Sequence, residues 1–385
     1  IYLTPRGGCG PFIQGPFKQG ASMPIKIGFS SSVCPTWDVQ QIAENANEMG
    51  FYGVELGVVR DELHLPAAED LQTDKEIDQV RKFFADNHVE IACLASIYAF
   101  DAREKNVRMR SVTRTIECIE LAEKLGCPLV RFPIGAPAGR EPVEHCLARQ
   151  VPHLAELARI AARKHITLLV SNTPQLPSSR SLWFVVDGVS QPGLKCAWNP
   201  VLGRACREGH SVAIPRLGAR IRAIQMGDAD FDEVGHFVGY RPLGEGDMDY
   251  SAHVDLLKGV LFDGYLTFDW PQARWEKAPP PDEALPAALE RIVERLKHTE
   301  PELTAYKKDK KAANWSAAPT AFVERQVPQD NAGAEETAGG DGAADADGGQ
   351  DAGPRVPKGG DPRIAALVAE AVKKVRAARA ARQGK

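Results

Sequence analysis

The chain has no long apolar run, no paired-cysteine motif, no histidine cluster and little imbalance of charge. Each absence closes a class of function. A membrane-spanning helix needs about 20 consecutive apolar residues, so no span is expected. A formal net charge of -4 over 385 residues offers no basic field for nucleic acid or for an anionic membrane surface. The eight cysteines (9, 34, 93, 118, 127, 146, 196 and 206) contain no C-x-x-C pair, and most lie in apolar contexts such as IACLAS and LKCAWN. They read as free buried thiols in a reducing compartment, which points to a cytoplasmic protein. The histidines at 64, 88, 145, 153, 165, 210, 253 and 298 show no metal-ligand spacing. The first strand also lacks a glycine-rich dinucleotide turn, since FSSSVCPTW follows it.

What is present is alternation. Hydrophobic residues make up 43% and charged residues 25% of the chain, enough apolar material for a substantial core. From Pro24 onward, short apolar runs alternate with amphipathic segments. IKIGFSSS, FYGVELGVV, EIACLASIY, PLVRFPIG, ITLLVSNTPQ, LKCAWNP, IRAIQMGDAD and GYLTFDWPQ read as strands. The segments between them have helical spacing, and one ends on the Met49-Gly50 helix stop. Alternation of this kind implies a parallel sheet covered by helices, and eight such units favour closure into an α/β (β/α)8 TIM barrel. In the seventh unit, FDEVGHFVGY reads as a polar loop, followed by a Gly-rich turn and a helix within RPLGEGDMDYSAHVDLLKGV.

The ends of the chain read differently. Residues 1–22 read as an upstream extension or a disordered leader, residues 23–305 as the barrel, and residues 306–326 as a polar extension. Residues 327–360 are rich in Gly, Ala, Asp and Pro and carry seven acids against one Arg and one Lys. Such a segment cannot bury enough apolar surface to offset its ordering entropy, so it reads as a disordered acidic linker. In residues 361–385, helical periodicity returns. Ile364, Leu367, Val368, Ala371 and Val375 share a face, and basic residues gather toward the C-terminal end. This short helix is either a solvated element or a docking helix for a protein partner.

In a barrel, chemistry collects where strands run out into loops at the C-terminal face. Those strand ends and loops carry Glu55, Arg131, Ser171, Asn199, Gln225, Asp228, Arg241, Asp269 and Trp270. Glu55 and Asp228 could add charge to a site. Arg131 suits either a phosphate or hydroxyl contact, as a fork donor, or a structural pairing with Glu55. Trp37, Tyr98 and Trp270 suit either stacking on a ligand ring or packing. Glu245 shapes the LGEG turn, and His236 is a loop residue, either solvated or a ligand or base.

Six stretches in order carry a family resemblance: GFYGVEL, LAEKLGCPLVRF, LLVSNTPQ, IQMGDAD, LGEGDMDYSAHVDLLKG and GYLTFDWP. The chain resembles the sugar-phosphate isomerase/epimerase family with the xylose-isomerase-like TIM barrel. That resemblance implies a divalent metal (Mn, Mg or Zn) held by Glu, Asp, His and Glu at the ends of strands five to eight. It also implies that the two Glu residues act as acid and base. At the corresponding positions this chain has Ser171, Asn199, Gln225 and Asp269. Asn199, Gln225 and Asp269 are the metal-ligand candidates that remain. With one carboxylate left, a dication loses much of the attraction that offsets its dehydration, so the site is expected to be weak or lost. Two-base epimerisation lacks half its machinery. The surviving enzymatic reading is proton-transfer isomerisation of a small sugar, polyol or sugar acid with Asp269 as base, and Ser171, Asn199, Gln225 and Arg241 as hydrogen-bonding partners. The alternative is a non-catalytic sugar-binding or scaffold protein that recruits a partner through its C-terminal helix. Arg241, in the loop where the family often carries a substrate-binding Arg, is assigned to substrate contact on the same resemblance.

Truncation after residue 326 is expected to leave the thermal melting midpoint within about 2 °C of the full chain, as a melt followed by circular dichroism would show.

Overall fold

Capping residues set where the crossover helices begin and stop. Asp38 and Thr73 each close a capping box, with Gln41 and Glu76, at the starts of α1 (Val39–Met49) and α2 (Asp74–Asp86). Gly50 and Gly126 adopt the left-handed conformation just after α1 and α3 (Lys105–Leu125), where a residue without Cβ is least strained. The computed structural model describes residues 25–270 and 278–296. The leader, the polar extension, the acidic linker and the terminal helix expected from sequence lie outside the described residues.

The remaining elements follow the alternation. The strands are β1 (Lys26–Ser30), β2 (Gly53–Leu56), β3 (Glu90–Ala95), β4 (Leu129–Pro133), β5 (Thr167–Ser171), β6 (Leu194–Trp198), β7 (Ile221–Met226) and β10 (Tyr265–Phe268). They close into one barrel in the order β1-β10-β7-β6-β5-β4-β3-β2, with every neighbouring pair parallel. Helices α4 (Val143–Ala162), α5 (Ser179–Val189), α7 (His210–Leu217), α8 (Tyr250–Gly259) and α9 (Pro281–Leu296) complete the outer ring, and no helix among the described residues is long and apolar enough to cross a membrane. The TIM barrel expected from sequence is the fold.

Two details depart from the sequence reading. The run IRAIQMGDAD is not one strand. β7 ends at Met226, and after Gly227 the chain leaves the barrel as β8 (Asp228–Phe231), pairing antiparallel with β9 (Phe237–Arg241). The stretch taken as a polar loop is therefore a hairpin. Its turn is set by Asp232, whose Oδ1 accepts from the Val234 and His236 amides, and by Gly235 at φ 87°. The second departure is α6 (Pro200–Ala205), an extra short helix directly after β6, with Asn199 as its N-cap and Pro200 at its first position.

The strand alternation divides the interior into layers. Outward residues such as Phe29, Val54, Leu94, Val130, Val170 and Ile224 join the helices in the main apolar core. The opposite parity gives a separate, smaller cluster of Cys93, Leu169, Ala197 and Ala223, with Leu129 against it. At the N-terminal end of the barrel, Lys26 Nζ donates to both Glu90 oxygens at 2.7 and 2.9 Å, and Tyr265 Oη donates to Glu90 Oε2 at 2.5 Å. Glycine makes room for that plug. A Cβ on Gly53 would lie 2.8 Å from Tyr265 Oη, and one on Gly28 would lie 2.4 Å from the Gly53 carbonyl oxygen.

Because the atom facing Gly28 is backbone and cannot swing aside, Gly28→Ala is expected to cost about 1–3 kcal/mol of stability. Urea denaturation reads this directly, and an unchanged midpoint would show that the strands can separate there without penalty.

Candidate active site

Five strand-end segments bring one cluster of hydrogen-bonded and ion-paired side chains to the C-terminal mouth. Arg131 on β4 reaches past β3 to Glu55 on β2 and engages it with two parallel bonds: Nε to Oε2 at 2.8 Å and Nη2 to Oε1 at 2.6 Å. Glu55 is 1% exposed. The same guanidinium lies 4.0 Å, Nη2 to Oδ2, from Asp269 just beyond β10. Asp269 is held in turn by Gln225, whose Nε2 donates to Oδ2 at 2.7 Å, and by Ser32, whose hydroxyl donates to Oδ1 at 2.7 Å. Ser30 Oγ lies 3.0 Å from Ser32 Oγ, extending the chain along the end of β1. The Asp269 amide bonds to the Met226 carbonyl at 2.8 Å, which ties the segment after β10 to β7.

The electrostatics follow from this packing. Burial pushes the Asp269 carboxyl up; Arg131 pulls it down, Glu55 pushes it up and the Ser32 bond pulls it down, leaving it above the ordinary carboxylate value. Burial opposes the Arg131 charge, but Glu55 and then Asp269 more than offset this and hold the guanidinium above its usual value. An ion pair at 4.0 Å in a partly exposed setting is worth about 4 kcal/mol of Coulomb energy before desolvation is subtracted. One guanidinium thus sits between two carboxylates, with neutral donors around Asp269.

The other expected site residues are placed differently. Ser171 is buried at the end of β5, and its hydroxyl donates to the Phe132 carbonyl at 3.2 Å. Asn199 Oδ1 accepts from the Leu202 amide at 3.2 Å, so it serves as the α6 cap. Asp228 spends both oxygens on four backbone amides: Ala229 at 2.9 Å, Gly244 at 2.8 Å, Gly246 at 3.1 Å and Met248 at 3.1 Å. It organises the LGEG turn instead of lining the mouth. Burial raises its carboxyl against the downward pull of those four amides. Arg241 sits on the hairpin, more than half exposed, and its Nε donates to Asp230. Trp270 is buried at 4% exposure directly after Asp269. Glu245 pairs with Arg291 at 2.5 Å, Tyr98 packs edge-on against His64, and exposed His236 bonds to Asp232. Ser32 was not singled out from sequence. Its signal was available in three consecutive serines at the end of a barrel strand.

These donors do not suit a dication. Asn199 has its oxygen on a helix cap, Ser171 has its hydrogen on a carbonyl, and Gln225 presents an amide N–H to Asp269. The remaining carboxylate has a guanidinium beside it. Among the described residues there is no group of three or more His, Cys, Asp or Glu able to hold a metal. Six of the seven described cysteines are buried and free, and burial pushes Cys118, Cys127 and Cys196 up to about 12.

The closed parallel barrel, with a charged cluster at its C-terminal mouth, makes this a TIM-barrel protein. The chain belongs to the xylose isomerase-like TIM barrel family, whose model matches residues 43–295. No curated protein sequence matches it. Among solved structures it is similar to the IOLI protein with a bound zinc atom, at TM-score 0.61 and 16% identity, covering 71% of this chain and 99% of that one. It is similar to L-ribulose 3-epimerase at TM-score 0.58 and 17% identity, covering 75% and 98%. It also matches a xylose isomerase-like TIM barrel/4-hydroxyphenylpyruvate dioxygenase fusion protein at TM-score 0.57 and 19% identity, covering 74% of this chain and spanning 45% of that one. At these identities the structural likeness shows the fold.

Asp228→Asn puts an amide N–H against the backbone donors it now serves. It is expected to cost about 2–3 kcal/mol and to speed hydrogen exchange at the Gly244, Gly246 and Met248 amides. Unchanged exchange there would mean that the turn is held by other contacts.

Proposed function

We propose that the chain is an isomerase of the sugar isomerase/epimerase type, acting on a small sugar, polyol or sugar acid at the barrel mouth. The observation that carries this is the setting of Asp269: a carboxylate at the mouth, 18% exposed, oriented by Ser32 and Gln225 beside a fixed guanidinium. Family membership and the likeness to L-ribulose 3-epimerase support the substrate class. With Ser171 in place of a second carboxylate, the chemistry is transfer between neighbouring carbons by a single base.

The step balances as follows. Asp269 takes the proton from the hydroxyl-bearing carbon beside a carbonyl. The C–H bonding pair becomes the new C=C bond, and the carbonyl pair moves onto its oxygen, giving an enediolate. Return of the proton to the neighbouring carbon, with the hydroxyl proton passing from one oxygen to the other, completes the aldose–ketose exchange. Ser32 and Gln225 hold the carboxylate in place, and each of its oxygens keeps a lone pair for the carbon-bound proton. Burial that lifts the Asp269 carboxyl above the ordinary range makes it a stronger base. No metal is given a step, because the donors at the family's ligand positions are committed elsewhere.

A second reading draws on that same observation. Side chains at three of the four ligand positions serve internal bonds, which suits a sugar-binding or scaffold protein whose terminal helix recruits a partner. Solvent deuterium exchange separates the two. Incubation with aldoses and ketoses of four to six carbons in D2O is expected to label the carbon beside the carbonyl of at least one sugar, and Asp269→Asn is expected to abolish that labelling. Because the folded carboxyl is raised, its ionised form opposes folding above that pKa, so Asp269→Asn should melt no lower than the native chain. Activity should fall as pH drops through a value above the ordinary carboxylate range. Labelling that survives in the Asn variant removes Asp269 as the base, and no labelling with any sugar favours the binding protein.

A further inference from the structure

We propose that Arg131 supplies the positive charge that stabilises the enediolate, the task a bound dication would perform in a site with matching donors. The inference rests on the assignment of Asp269 as the base and adds the electrophile that the base requires. An enediolate forming in a cavity with no cation beside its oxygen would carry unscreened negative charge, and preorganised positive charge at that point is the largest single source of rate enhancement in such reactions.

The geometry is specific. Glu55 occupies Nε and Nη2 of the Arg131 fork, and no hydrogen bond joins Nη1 to any described residue. The side chain is 14% exposed, so this edge is not sealed into the core. Nη2 stands 4.0 Å from Asp269 Oδ2, the group that takes the proton. A reacting atom can therefore lie about 3 Å from both the base and a guanidinium N–H. The bidentate contact to a carboxylate that is 1% exposed fixes the plane of the guanidinium before any ligand arrives, so no reorganisation is needed at the moment of reaction.

The charge arrangement also favours the transition state over the bound sugar. In the resting site, Arg131 faces two carboxylates. When Asp269 takes the proton it becomes neutral, and the field of Arg131 at the new oxyanion strengthens as negative charge arrives there. An interaction that grows along the reaction lowers the barrier, whereas one of equal strength in ground and transition states does not. Glu55 is the positioning residue. Buried and bonded at both oxygens, it orients the guanidinium with both of its own oxygens already engaged.

Aldonohydroxamates of four to six carbons mimic the enediolate and also chelate metals, so they distinguish the two sources of charge. Isothermal titration of the full chain in excess EDTA is expected to show at least one hydroxamate binding about tenfold or more tighter than the corresponding neutral aldonamide. Arg131→Lys, which keeps a charge but loses the fork, and the double variant Glu55→Gln/Arg131→Gln, which removes both members of the bidentate pair together, should each lose about tenfold or more of that preference. Two results overturn the role of Arg131 and leave the isomerase assignment standing: tight binding that both variants retain, and tight binding that appears only when Mn2+ replaces EDTA. If neither hydroxamates nor sugars bind under either condition, the isomerase assignment fails and takes this inference with it.

Discussion

The bidentate contact between Arg131 and Glu55 is the constraint around which the mouth of the barrel is arranged. Taking either charge out of water alone would cost several kcal/mol, and a buried pair holds only when geometry and hydrogen bonding are good on both sides. Here the fork of Arg131 meets both oxygens of Glu55 across an intervening strand. The pair adjoins a small apolar cluster of Cys93, Leu169, Ala197 and Ala223, with Glu55 in register with Cys93 and Arg131 with Leu169. Asp269 then takes its place as a third charge, with Ser32 and Gln225 supplying the neutral donors that a lone carboxylate needs.

That arrangement suits the side chains found at the ends of β5, β6 and β7. A site built around a fixed guanidinium has little use for three carboxylates converging on one point, and a dication beside Arg131 would meet direct repulsion. The side chains at those positions have instead been drawn into local tasks: a helix cap at Asn199, a strand-end carbonyl bond at Ser171 and an amide clamp on Asp269 at Gln225. The uncharged strand ends and the buried cation are two aspects of one electrostatic arrangement.

The segment after β7 shows a second carboxylate used for architecture. Asp228 gathers four amides from its own neighbour and from the LGEG turn, and Gly246 must lack a side chain because a Cβ there would fall 2.4 Å from Asp228 Oδ1. This hub anchors the hairpin, where Phe231, Phe237 and Tyr240 pack ring to ring and Arg204 lies 5.0 Å over Phe231. Arg241 follows the hairpin outward and pairs with Asp230. An acid that looks like a site residue in the sequence, Asp228, is thus spent on holding a loop.

Periodicity, caps and strand-end polarity are local properties, so they could be read from the chain directly. They gave the order of strands and helices, the (β/α)8 closure, and Glu55, Arg131, Gln225 and Asp269 as residues of the mouth. The hairpin was missed because a strand that continues past Gly227 has the same alternation as one that leaves the barrel there. The cap role of Asn199 was missed although Asn-Pro is a helix start. Partnership could not be read at all. Ser32 and Asp269 are 237 residues apart, Arg131 and Glu55 76 apart, and Gln225 and Asp269 44 apart. Which of these side chains meet depends on closure and on the stagger of neighbouring strands, and only the folded barrel sets those. The amino-acid order determined what kind of barrel this is; the tertiary structure decided that its mouth is organised by a guanidinium between two carboxylates.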